Sequence, residues 1–180
     1  MRLTMLDGTQ EPGPMDAWLR AVAAGLAARG HQVRRLALRE LRLCQCRGCF
    51  GCWVKTPGRC VIRDDGERLL RELVAADVAV FASPVSMGFT SALLRRATER
   101  LLPLLHPFFR LVDGEVHHVQ RYPRVARVAL LHGHEGVDEE DRALLRLLHE
   151  RMALNLDARL VLVAASDRRP EEVCDALARA

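Results

Sequence analysis

Short apolar runs and stretches of helical spacing alternate along the chain. Leu3–Leu6 is a brief apolar run closed by Asp7-Gly8, and Met15–Arg29 then sets Trp18, Val22 and Leu26 at helical intervals before stopping at Gly30. Gln32–Leu38 reads as a second strand, with Val33, Leu36 and Leu38 apolar. Asp64 with Glu67 three residues on resembles a capping box, and Leu69, Leu70, Leu73 and Val74 give the helix it opens a buried face. Val78–Ala82 is apolar at every position, the pattern of a strand covered on both sides, and Ser83-Pro84 ends it. Thr90–Leu102 has helical spacing through Leu93, Leu94, Ala97 and Leu101. A connection of about twenty residues then runs from Pro103 to Pro123, long enough to need a functional or interface reason. Val125–Leu131 is a fourth strand, Asp138–Leu154 a long helix, Arg159–Val163 a fifth strand and Pro170–Arg179 a closing helix with Pro170 in its first turn. Five strands separated by helices predict an α/β fold: a doubly wound five-stranded parallel sheet with right-handed crossovers and strand order 2-1-3-4-5. Residues 1–180 read as one domain carrying a Cys-rich loop at 44–60 and the long connection at 103–124.

Composition adds exclusions. With 49% hydrophobic and 28% charged residues the chain is neither disordered nor fibrous. No apolar run approaches the ~18 residues of a membrane span, and the N-terminus meets Asp7 too early for a secretory leader, so the expected setting is cytoplasmic, with no membrane partner. The net charge is +4, and among the 27 basic residues Lys55 is the lone lysine. The arginines are interspersed with acidic residues on helical segments, which argues against a nucleic-acid partner.

In a doubly wound sheet the ligand crevice lies beyond the carboxyl ends of the strands, where strands one and three diverge. Three loops reach that crevice. Asp7–Pro14 offers Thr9 and Gln10 as polar ligands, but Asp7 and Glu11 add negative charge and Pro12 and Pro14 remove two amides. Ser83, Pro84, Val85, Ser86, Met87 and Gly88 form the second loop, in which Pro84 stiffens the turn and Gly88 admits close backbone approach; Ser91 or Thr90 would cap the helix that follows. His132, Gly133 and His134 begin the third loop, where two imidazoles either line a pocket or decorate a polar turn.

Five of the six cysteines fall between Cys44 and Cys60. The spacing Cys46-x2-Cys49-x2-Cys52-x7-Cys60 wraps three thiols tightly and returns a fourth, which suits an iron–sulfur cubane better than the separated pairs usual for zinc. Buried free thiols acting as small hydrophobes are the alternative. Asp64-Asp65, just beyond, reads as helix capping.

Cys46-Arg47-Gly48-Cys49-Phe50-Gly51-Cys52-Trp53, Gly58-Arg59-Cys60-Val61-Ile62-Arg63-Asp64-Asp65, Ala76-Asp77, Ser83-Pro84-Val85 and Ser91-Ala92-Leu93-Leu94 follow one another in an order that resembles the NADPH-dependent FMN reductase-like flavoproteins. The cysteine spacing is similar to that of their iron–sulfur branch. The resemblance implies a flavodoxin-like fold, FMN at the switch point, a homodimer or homotetramer, and electron transfer from a reduced nicotinamide or ferredoxin. For Cys46, Cys49, Cys52 and Cys60 it implies a [4Fe–4S] cluster. The chain departs from that family in its first loop, which lacks the usual Ser, Asn and Arg, and at Ser86, where an aromatic residue is common.

The function expected from this reading is an FMN-dependent NAD(P)H oxidoreductase or electron-transfer flavoprotein serving a small-molecule or redox-protein acceptor. The chemistry would belong to the cofactor, and no side chain is nominated as catalytic. His117, His118, Arg121, Tyr122 and Arg124 in the long connection would cap a neighbouring subunit's flavin, form a dimer contact, or be a polar excursion. The competing reading is a non-enzymatic metal-binding or electron-carrier protein that keeps the scaffold without flavin.

Overall fold

The computed structural model describes residues 1–122 and 127–180. In chain order the elements are β1 (Arg2–Asp7), α1 (Pro14–Ala28), β2 (Gln32–Ala37), α2 (Gly51–Val54), α3 (Gly66–Val74), β3 (Val78–Ser83), β4 (Val85–Ser86), β5 (Phe89–Thr90), α4 (Ala92–Glu99), β6 (Leu105–Val112), β7 (Glu115–Gln120), β8 (Arg127–His132), α5 (Glu139–Asn155), β9 (Arg159–Ala165) and α6 (Pro170–Arg179). The main sheet is parallel with order β2-β1-β3-β8-β9, the arrangement expected from the sequence. Val125, expected to begin the fourth strand, lies with Pro123 and Arg124 outside the described residues.

Alternation along the strands divides the core into two layers. Leu6, Ala79, Phe81 and Leu130 face α3, α4 and α5 through Leu69, Leu73, Leu94 and Leu145. Leu3, Met5, Val80 and Leu131 face α1 and α6 through Leu19, Val22, Leu26, Val173 and Leu177. The wholly apolar Val78–Ala82 run is accounted for by this two-sided burial, since every residue of β3 is buried.

Two local expectations are corrected. The long connection is not irregular: β6 and β7 pair antiparallel as a hairpin that turns at Asp113 (φ 50°) and Gly114 (φ 83°), with a register shift between Leu105 and Phe109. It exposes Phe108, Phe109, Leu111 and Val116 while burying His117. The capping box also does not form. Helix α3 begins at Gly66, and Glu67 pairs outward with Arg59 and Arg71 rather than reaching back. Asp64 instead receives both arms of Arg100, Nη1 on Oδ2 and Nη2 on Oδ1 at 2.8 Å each. Both side chains of this pair are 1% exposed. No helix among the described residues is long and apolar enough to cross a membrane.

Candidate functional site

Where β1 and β3 carry the chain to opposite sides of the sheet, the loops at their carboxyl ends enclose a hollow of about 500 Å³. Thr9, Gln10, Pro84, Val85, Gly133 and His134, all expected at a cofactor site, line it. Ser83, Ser86, Met87, Gly88 and His132 do not.

The backbone explains this division. Ser83 is buried and its hydroxyl is used internally, donating to the Pro84 carbonyl at 2.6 Å and accepting from the Ser91 amide at 2.7 Å. Ser91 in turn caps α4, taking the Leu94 amide at 3.3 Å, and donates to the Gly8 carbonyl at 2.7 Å. A Cβ at Gly8 would stand 2.7 Å from that Ser91 oxygen and 2.9 Å from Leu94 Cβ, so glycine is required where the first and second loops touch. Val85–Thr90 then closes as the small β4–β5 hairpin, turning at Met87 (φ 53°) and Gly88 (φ 76°). Gly88 therefore serves a tight turn against α5, where a Cβ would meet the Asp141 carboxylate at 2.8 Å, and Met87 stands 94% exposed.

The third loop also splits in two. His132 is buried, its Nδ1 donates to the Gly133 carbonyl at 2.7 Å, and burial pushes its pKa down, so the ring is neutral. It faces a separate hollow of about 680 Å³ beside β9, which Arg142, Arg146, Arg168 and Arg169 share with Glu139, Asp167 and Glu172. His134 stays at the switch-point hollow with Nδ1 2.9 Å from Ser166 Oγ.

Trp18, Met15, Asp16, Glu135 and Ser166 also line the switch-point hollow and were missed as site residues. Trp18 reads from spacing as a core position of α1. It is partly buried against the α1–α6 layer, and its indole N–H also reaches the Arg168 carbonyl at 2.7 Å where the side chain lines the hollow. The polar edge of tryptophan, which needs a partner when covered, was the available signal.

Beneath the first loop lies a buried network of charges. Asp7 Oδ1 accepts the Thr9 amide (2.9 Å) and the Thr9 hydroxyl (2.8 Å). Arg35 Nη2 donates to both Asp7 and Asp16, bridging the two carboxylates. Arg39 donates to Thr9 Oγ1 at 2.7 Å and to Asp16 at 2.9 Å, and Arg20 holds the other Asp16 oxygen at 2.8 Å. Burial alone would raise the Asp16 pKa, but hydrogen bonds from Arg20, Arg35 and Arg39 outweigh it and hold the group at about 2. Among the described residues no lysine or arginine lines the hollow itself.

The ring end of a flavin suits this geometry: the volume is in the range of small-molecule sites, Trp18 and Met15 supply apolar surface, and the Pro84-Val85 and Gly133 backbones, with Met15 beside Gly133, supply a narrow edge. The phosphate end does not, because the adjoining cations are already bound to carboxylates.

The cysteine loop sits between β2 and α3. Cys44 and Cys49 are exposed, Cys46 and Cys60 partly covered, and Cys52 buried. Burial raises the Cys52 pKa, as do the neighbouring thiols of Cys60, Cys46 and Cys49. The Gly48 amide lies 3.5 Å from Cys46 Sγ and the Ile62 amide 3.5 Å from Cys60 Sγ. Among the described residues no three Cys, His, Asp or Glu side chains converge as a metal ion requires, so the loop as it stands is not a closed ligand set. Its ends are fixed by Asp64, which accepts the Cys44 amide at 2.7 Å, and by Arg100, which donates to the Cys44 carbonyl at 2.6 Å.

Comparison with known proteins agrees with this architecture. An iron–sulfur flavoprotein of Methanocaldococcus jannaschii is 30% identical over 105 residues, 58% of this chain and 53% of that protein. One from Archaeoglobus fulgidus is 29% identical over 102 residues, 57% of this chain and 46% of that protein. The chain thus spans about half the length of the curated relatives it matches. An NAD(P)H:quinone oxidoreductase from Methanothermobacter marburgensis shares the fold at TM-score 0.65 and 15% identity, over 99% of this chain and 94% of that one. So does an azoreductase from Bacillus anthracis, at TM-score 0.64 and 15% identity, over 99% and 93%. The sequence model of NADPH-dependent FMN reductase matches residues 1–121, two thirds of the chain, and with the sheet order and the switch-point hollow now in place, it is to the NADPH-dependent FMN reductase family that this chain belongs.

Proposed function

We propose that the protein is a flavin-dependent oxidoreductase that takes electrons from NAD(P)H and passes them to a small-molecule or redox-protein acceptor. The observation that carries this reading is the hollow between the β1 and β3 loops, walled by Trp18 and Met15 and edged by backbone at Pro84-Val85 and Gly133. A bound flavin supplies the hydride chemistry. The chain's own part is to hold and shield: Trp18 and Met15 supply apolar surface, the close approach of Gly133 to Pro84 (3.3 Å from a Cβ position to Pro84 Cα) keeps the edge beside Met15 narrow, and His134, tied to Ser166, adds a polar lining. Adding FMN to the purified protein should quench flavin fluorescence and make NADPH or NADH oxidation depend on both flavin and an acceptor such as ferricyanide. Absence of both effects overturns the proposal.

The finer cofactor reading adds a [4Fe–4S] cluster on Cys46, Cys49, Cys52 and Cys60. It is supported by the thiol spacing and by the similarity to the two archaeal iron–sulfur flavoproteins. In a cubane each iron takes one cysteine, so the four thiols need not meet at one point, and anaerobic reconstitution followed by iron and sulfide counting decides whether this loop holds one. Assembly as a homodimer or homotetramer is supported by the exposed apolar residues of the β6–β7 hairpin, Phe108, Phe109, Leu111 and Val116, on a two-stranded ribbon that is marginal in isolation. Light scattering of the wild type beside Phe109→Ser and Leu111→Ser tests it.

A further inference from the structure

A ligand phosphate at a loop of this kind needs backbone amides, a hydroxyl and a cation free to turn toward it. Here the hydroxyl and the cations are already engaged, and so is the Thr9 amide, which leaves the amides at the start of α1 as the donors a phosphate could still find. The Thr9 amide and hydroxyl both point to Asp7 Oδ1, at 2.9 and 2.8 Å. Arg35 and Arg39, the two guanidinium groups nearest the loop, are shared between Asp7 and Asp16. Asp7 is fully buried and Asp16 nearly so, so drawing Arg35 and Arg39 away would strand two carboxylates out of reach of water. Pro12 and Pro14 contribute no N–H, and Asp16 already sits in the first turn of α1, where it complements the positive end of the helix. What faces the hollow from this side is Gln10 and Glu11, with Glu135 opposite. A dianion placed there would meet carboxylates and no unpaired cation.

We infer that the first loop carries its own anion: the carboxylates of Asp7 and Asp16 take up the hydroxyl and guanidinium donors a cofactor phosphate would use, so the site holds a flavin by its ring, with no charge-assisted bond to its phosphate. This inference rests on the flavin reading above. It assigns the resident ligand to a class, flavins irrespective of phosphorylation, and makes Asp16 the residue that sets this indifference.

Isothermal titration of the wild-type chain with riboflavin and with FMN in the same buffer reads the inference without any turnover assay. The dissociation constants should agree within about threefold, whereas even one charge-assisted bond to the phosphate would separate them by about tenfold or more. FMN affinity should also not fall as salt is raised, since no free cation is being screened and the neighbouring carboxylates only repel. Asp16→Asn, which keeps the shape and removes the charge, should release part of Arg35 and Arg39 and tighten FMN at least fivefold relative to riboflavin. If wild-type FMN binds tenfold or more tightly than riboflavin, the inference is overturned while the oxidoreductase reading stands. If neither flavin binds, both fall. If Asp16→Asn does not fold, the wild-type ratio and its salt dependence still decide the matter.

Discussion

Two loops on the carboxyl side of the sheet rest on buried carboxylate–guanidinium contacts, and they use them differently. Under the first loop, two carboxylates share two arginines, with Arg35 and Arg39 still 17% and 14% exposed. Under the cysteine loop, a single pair is sealed from water and bidentate, and it joins residues 36 positions apart. In the first network each charge has more than one partner, so loss of one member leaves the others paired. The second has no such redundancy: without Asp64 the Arg100 guanidinium would keep only the Cys44 carbonyl and the neighbouring Cys60 thiol. One network uses up cations that a ligand would want, and the other fastens a loop to the core.

The largest expected effect follows from that asymmetry. Asp64→Ala should cost about 3–5 kcal/mol in urea unfolding, because it strands a buried charge, and hydrogen exchange at the Cys44 and Gly66 amides should accelerate with it. Asp16→Asn should cost less, about 1–3 kcal/mol, since Arg35 and Arg39 keep Asp7. Equal costs for the two variants would erase the distinction drawn between the networks.

Acid titration sharpens it further. A carboxyl whose folded pKa lies below its unfolded value stabilises the fold above the unfolded pKa and loses that contribution as pH falls through the folded one. For Asp16 the contribution is complete above an ordinary value of 3.8 and disappears toward about 2. Burial opposes ionisation of Asp64 as well, but Arg100 and the Cys44 and Gly66 amides lower its pKa further still, so its contribution outlasts that of Asp16. Melting temperature followed from pH 5 to 2 should therefore fall more shallowly in Asp16→Asn than in the wild type. The smallest effect belongs to Arg20→Ala, whose side chain is 60% exposed: its melting temperature should fall, but by less than in either carboxylate variant, because Asp16 Oδ2 loses its partner while Arg35 and Arg39 still hold Oδ1.

The sheet and its order could be read directly from the chain because apolar periodicity encodes burial, and β3 is the clearest case. The backbone half of the hollow was also legible, since the switch-point rule selects loops before it selects residues. The first-loop network was not. Arg35 reaches Asp7 because β2 lies beside β1 with Met5 opposite Arg35, a juxtaposition that exists only once the strands are paired. Asp64 was read only in part for a related reason: it does accept the Gly66 amide that opens α3, but the Arg100 that binds both its oxygens stands at the C-terminal end of α4, and only the fold brings the two together. The β6–β7 hairpin is a different case. Asp113-Gly114 between Phe109, Leu111 and Val116 is a strong turn signal in plain sight, masked by Pro107 and by the polar residues around it.

The clasp between Arg100 and the Cys44–Asp64 boundary has a consequence for how this protein can change. With both ends of the segment pinned by one interior guanidinium, the residues between them are insulated from the sheet, like a cassette in a fixed frame. Thiols can be gained, lost or respaced in that stretch while the scaffold and its hollow stay as they are. Lineages sharing this clasp are therefore free to differ in their sulfur chemistry without having to reinvent the fold.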